Sequence, residues 1–196
     1  SPGESKTIDF VTVVGDSLSN VRSDYKNIMS NVQGEIDHCR NEWNEEIKSA
    51  FTPGNSRFSG CMPLLETTDK EIAKLYYMGV LGVIYFRRDN PYSVLGRTYD
   101  TLMPKYWQSV TFIWDYALSS LTHALLDPAV MKKYIEHWMS MDVHKHFGTE
   151  YLTGGPVGPW YSVNDFAITE ISKNYLRWNG DCKWLDKVIQ VNEGQK

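Results

Sequence analysis

Apolar residues recur at three- and four-residue steps through most of this chain, and only one short run alternates. Leu18, Val21, Tyr25, Ile28, Met29, Val32, Ile36, Cys39, Trp43 and Ile47 form the longest series. At 3.6 residues per turn they share one stripe, which predicts a long amphipathic helix between about Ser19 and Ser49, softened at most at Gly34. The alternating run is TIDFVTVV, Thr7 to Val14, stopped by Gly15-Asp16-Ser17; it reads as one short strand whose sheet partners must come from elsewhere. The chain is therefore expected to be all-α, with a single N-terminal strand.

Punctuation along the sequence sets the remaining elements. Thr52-Pro53-Gly54-Asn55 ends the first helix, and the stretch to Pro63 is loop by composition. Thr68-Asp69-Lys70-Glu71 has the form of a capping box with Thr68 as cap, followed by a helix through Ile72, Leu75, Tyr76, Val80, Val83 and Ile84. A further helix is expected from Tyr106 to Leu126. Asp127-Pro128 then supplies a cap and a first-turn proline for the next, through Val130, Met131, Tyr134, Ile135 and Trp138. From Met141 to Tyr161 periodicity is absent and Gly and Pro accumulate, so this reads as a long shaped loop. Helix resumes from Ser162 to Trp178, stops at Asn179-Gly180, and restarts with Asp181 as cap.

Composition narrows the function classes. With 42% apolar and 22% charged residues, the 196-residue chain has the make-up of a protein with a real core. A net charge of -4 and the absence of a basic stripe argue against a nucleic-acid partner. No apolar run reaches the length of a membrane span, so no membrane partner is expected. Cys39, Cys61 and Cys182 are far apart and odd in number, which disfavours a disulfide scaffold. No signal or transit segment is recognisable, and the compartment stays open. Seven Trp and twelve Tyr exceed what a core of this size needs, pointing to rings on a binding surface.

Two constellations are candidates for chemistry. In Trp107 to Tyr116 (WQSVTFIWDY) two indoles and the carboxylate of Asp115 come together. Aromatic planes stack on the apolar faces of sugar rings and a carboxylate accepts from ring hydroxyls, so the combination suits a carbohydrate subsite. The same residues also suit a plain core, with Trp107 and Trp114 facing inward and Asp115 at a helix end. The second constellation is Asp142-Val143-His144-Lys145-His146, with His123 and His137 upstream. An H-x-H pair can ligate zinc, but two ligands do not make a site, and no metal is expected. No G-x-S-x-G, phosphate-binding or dinucleotide fingerprint is present, and no cofactor is expected.

The segment YWQSVTFIWDYALSSLTHALLDP, a helix, a Gly/Pro loop and GPWYSVNDFAITEISKNYLRWNGD together resemble the (α/α)6-barrel, or six-hairpin, glycoside hydrolases of the trehalase and processing α-glucosidase kind. SRFSGCMPLLETTDKEIAKLYYMGVLGVIYFRR is similar to the lead-in to their first barrel helix. The chain departs from the family's P-x-x-x-W-A element, reading YSVNDFA from Tyr161 to Ala167.

The resemblance implies residues 1–17 as the terminal strand of a β-sandwich, 18–60 as a linker helix and loop, and 61–196 as the first part of an (α/α)6 toroid. It implies a glycosidase whose sugar subsite uses Asp115, walled by Trp114 and Trp107, with Trp160 and Tyr161 at the mouth. Asp115 is then expected at the bottom of a pocket rimmed by Trp160 and the Gly154 to Pro159 loop, with Arg97 or Arg57 as possible partners. Twelve helices need roughly 350 residues, so this chain reaches only about the fifth. The general acid and base are expected beyond Lys196, which makes the chain a fragment. Glu150 and Asp165 are the other carboxylates weighed for such roles, with no spacing that selects a pair. Half a toroid leaves apolar flanks, which predicts self-association. The alternative is a non-catalytic helical module that binds a protein through its first helix and aromatic surface.

Overall fold

The computed structural model describes residues 3–101 and 110–191. The chain divides into two compact units, Ser1–Lys48 and Ser49–Lys196.

The first unit holds helix α1 (Leu18–Ser30) and most of α2 (Val32–Ala50). The expected single helix is broken, and at Asn31, three residues before Gly34. Asn31 leaves helical geometry, and its side-chain oxygen accepts from the Gly34 amide at 3.1 Å while its carbonyl accepts from Glu35. A short amide that satisfies the first donors of a new helix competes with continuing the old one. The expected strand from Thr7 to Val14 is a correction: no strand is assigned there, and Phe10 is 91% exposed. Alternation alone makes no strand when no ladder partner supplies its hydrogen bonds.

The second unit begins with α3 (Lys70–Tyr85), capped by Asp69 rather than Thr68. The Asp69 carboxylate accepts from the Glu71 and Ile72 amides at 2.9 and 3.2 Å. A charged acceptor suits the positive end of a helix better than a hydroxyl. A two-stranded antiparallel hairpin follows, β1 (Arg87–Asp89) and β2 (Arg97–Tyr99).

The helix expected from Tyr106 to Leu126 is replaced where it is described. Val110–Phe112 is a strand, β3, and it is followed by α4 (Ile113–Leu118) and α5 (Ser120–Leu126). Next comes α6 (Pro128–Ser140), with Pro128 in its first turn as anticipated. The presumed loop after it contains β4 (Gly148–Glu150) and β5 (Pro156–Val157), which extend β3 into a three-stranded antiparallel sheet. The last elements are α7 (Asn164–Asn179), ended by Gly180 at φ 64°, and a short 3-10 helix, Cys182–Asp186. The chain is thus mostly helical, with small sheets.

Gly148 shows how the small sheet closes. A Cβ built there collides with the Thr111 carbonyl oxygen and touches Phe112 Cα at 3.0 Å, both backbone atoms that cannot turn aside. Gly148→Ala is therefore expected to destabilise the protein by about 1–3 kcal/mol, the usual cost of overpacking. A thermal melt checks it, and an unchanged midpoint contradicts it.

The main core of the second unit lies between α4, α5, α6 and α7 and is built on rings. Tyr116, Tyr134 and Trp138 are fully buried, with centroids 4.8–5.3 Å apart. Ile113, Met131, Ile135 and Ile171 fill the spaces among them. A second cluster joins Phe58 and Met62 to Val80, Ile84 and Leu126. Among the described residues no helix is long and apolar enough to cross a membrane.

Candidate functional site

Asp115 stands in the first turn of α4 and opens onto a cavity of about 240 Å³. Pockets for drug-sized ligands run to roughly 300–1,000 Å³, so this one suits something near a single ring. One wall is α3, which contributes Gly79, Gly82, Val83 and its capping residue Phe86. Gly79 and Gly82, three apart, leave the space open: a Cβ at either meets no atom within 4 Å. The end of β2 supplies Tyr99, Asp100 and Thr101, and the opposite side holds Ser119 and His123.

These side chains are held by bonds that lie behind the cavity. The Tyr99 hydroxyl donates to Asp127 at 2.9 Å, and its backbone amide donates to the Tyr134 hydroxyl at 3.1 Å. Burial, then the neighbouring Asp127 charge, pushes the Tyr99 phenol far above its ordinary pKa, so it remains a neutral ring. Asp100 is buried, and its Oδ2 accepts from Arg88 Nε at 3.2 Å. Thr101 Oγ1 donates to the Val110 carbonyl at 3.3 Å and accepts from the Phe112 amide at 2.8 Å, tying the hairpin to β3. Asp115 itself has no cationic partner among the described residues. Partial burial raises its carboxyl above the usual range, against the pull of its own backbone amide.

Other expected site residues lie elsewhere. Trp160 and Tyr161 are not among the described residues lining this cavity, which corrects the anticipated rim. Trp160, 43% exposed, sits 6.1 Å from the His144 ring, and Tyr161 stacks on Phe147 at 5.0 Å. Trp114 tilts against Phe166 at 6.4 Å, on a part of α4 that does not line the cavity. Trp107 lies outside the described residues.

Arg97 is engaged away from Asp115. It binds Asp89 at 2.6 Å, Asp127 at 3.0 Å and the Arg57 carbonyl at 2.6 Å. The Gly154 carbonyl meets His137 Nε2 at 2.7 Å rather than Asp115.

Glu150 and Asp165 have structural partners. Glu150 folds the Gly-rich turn by accepting from the Leu152 and Thr153 amides and the Thr153 hydroxyl. Burial opposes its charge, but these donors outweigh it and hold the carboxyl below its ordinary pKa. Asp165 accepts from His144 Nε2 at 2.7 Å. His146 is buried, and no group of three metal-ligating side chains occurs among the described residues.

His123, which the sequence singles out only as a histidine upstream of the H-x-H pair, lines the cavity. It is 2% exposed, lies flat on Tyr116 at 3.9 Å and meets the Tyr99 edge at 4.9 Å. Desolvation drives its pKa down to about 3, opposed only by the Asp127 charge. An unfolded histidine titrates near about 6.5. Between the two values the unfolded chain binds a proton that the native protein refuses. Stability therefore rises with pH across that window and is lost as pH falls from about 6.5 towards 3, by up to about 1.4 kcal/mol per unit. Melting midpoints from pH 7 to pH 4 are expected to fall less steeply in His123→Gln than in the native protein. Parallel curves contradict the assignment.

No protein-family model, curated protein or solved structure matches this chain.

Proposed function

We propose that the chain is a segment of a six-hairpin glycoside hydrolase and that the Asp115 cavity is one of its sugar subsites. The observation that supports this reading is a carboxylate, without a cationic partner among the described residues, opening onto a ring-sized cavity with aromatic walls. In the proposed complex, hydroxyls of one sugar unit donate to Asp115, and the apolar face of the ring lies against Phe86 and Tyr99. Ser119 and Thr101 add hydroxyls at the same surface. Asp100, whose Oδ2 accepts from Arg88 Nε at 3.2 Å, is a second carboxylate lining the same cavity. This chain's residues bind and orient; the general acid and base come from further helices of the toroid.

The test is a titration with neutral monosaccharides followed by tryptophan fluorescence. Saturable perturbation without release of aglycone from aryl glycosides is the expected result. A second reading has its own support: Leu18, Tyr25, Met29, Ile36 and Trp43 leave an apolar stripe exposed on α1 and α2, as a protein-binding module requires. Silence for every sugar, with a measurable protein partner, favours that module.

A further inference from the structure

Resting on the sugar-subsite reading, we infer that His123 is a ligand-contacting residue of the cavity, exchanging a hydrogen bond between its imidazole and a hydroxyl of the bound sugar.

Three observations meet at this side chain. It lines the cavity, yet it is 2% exposed. Among the described residues its Nδ1 is fully buried without a hydrogen-bond partner, and Nε2 takes part in no hydrogen bond. Its ring cannot swing away to find a partner, because Tyr116 lies parallel to one face at 6° and Tyr99 closes the edge at 68°. A polar group left unpaired costs about 1–3 kcal/mol, and Nε2, which unlike Nδ1 is not sealed off, is the nitrogen that a hydroxyl in the cavity can reach.

The chemistry of the partner follows from what the ring offers. An uncharged imidazole has one N–H and one lone pair, and either tautomer turns one of them to the ligand. A hydroxyl both donates and accepts, so it satisfies whichever nitrogen faces it. Asp115 and Asp100 only accept when charged. The cavity therefore combines strict acceptors with one ambivalent group, and a ring bearing several hydroxyls meets both demands.

The experiment uses the 196-residue chain labelled with 15N-histidine and titrated with D-glucose, D-galactose and D-mannose in turn. The His123 ring nitrogen signals are expected to move with one of these sugars, over the same concentrations that change tryptophan fluorescence. His123→Phe keeps the stacked ring but removes both nitrogens, and binding is expected to weaken roughly tenfold. His123→Gln, which restores a donor and an acceptor, is expected to recover most of it. A sugar that binds and is lost in Asp115→Ala, while the His123 signals stay still and His123→Phe binds as tightly as the native chain, overturns the inference and leaves the subsite reading standing. No response to any sugar overturns both. Should His123→Phe not fold, the native ring signals decide alone.

Discussion

Replacing Asp127 by Ala is expected to lower stability by about 3 kcal/mol, the low end of what breaking a buried ion pair costs. Asp127 is 2% exposed and gathers three parts of the second unit on one carboxylate. The Ser59 hydroxyl and amide donate to it at 2.6 and 3.3 Å from the loop before α3, and Arg97 and Tyr99 donate from β2 at 3.0 and 2.9 Å. Its own backbone leads into α6. Removing the side chain leaves a guanidinium, a phenol and a hydroxyl facing a hole. The penalty stays at the low end because Arg97 retains Asp89 at 2.6 Å. At roughly 2–4 °C per kcal/mol for a protein of this size, the midpoint should fall by about 6–12 °C. Asp127→Asn, which keeps the shape and one acceptor oxygen but replaces the other with an NH2 donor and removes the charge, should lose less. A change in Asp127→Ala of under about 2 °C contradicts the hub.

That hub also marks the boundary of what was legible in the sequence. Asp127-Pro128 announced a helix start correctly, because proline in the first turn is a local matter. Gly180 likewise ended α7 where Asn179-Gly180 foretold. The expected use of the Asp127 side chain as a cap did not hold: no capping bond is formed, and the carboxylate is recruited by residues 28 to 68 positions away. Such pairings leave no periodic trace.

The strands were missed for a related reason. Two or three residues are too few to alternate, and β3 to β5 exist because they pair with each other. Thr7 to Val14 alternates well and, lacking a partner, makes none.

The candidate site was half visible. Asp115 stood out as a charge beside Trp114 in an apolar helix, and it does open onto a cavity. The surroundings came from elsewhere in the chain. Gly79 and Gly82, three apart on α3, leave the space that the cavity occupies. His123 was grouped with other histidines by type, whereas its stacking on Tyr116 gives it a different setting.

Loss of sugar binding in Asp115→Ala is the second large effect expected. Charge-assisted hydrogen bonds from hydroxyls to a carboxylate contribute about 1.5–3 kcal/mol each. A sugar held by two of them through Asp115 loses at least roughly a hundredfold in affinity when both go, which places the complex below detection for a weakly bound monosaccharide. The substitution should leave the fold intact, since Asp115 is exposed and pairs with no side chain among the described residues. The decisive measurement is the monosaccharide titration of tryptophan fluorescence on native and Asp115→Ala protein, with circular dichroism recorded on both. A saturable response in the native chain that vanishes in a folded Asp115→Ala variant is the predicted result, and an unchanged response in the variant contradicts the assignment of this cavity as a sugar subsite.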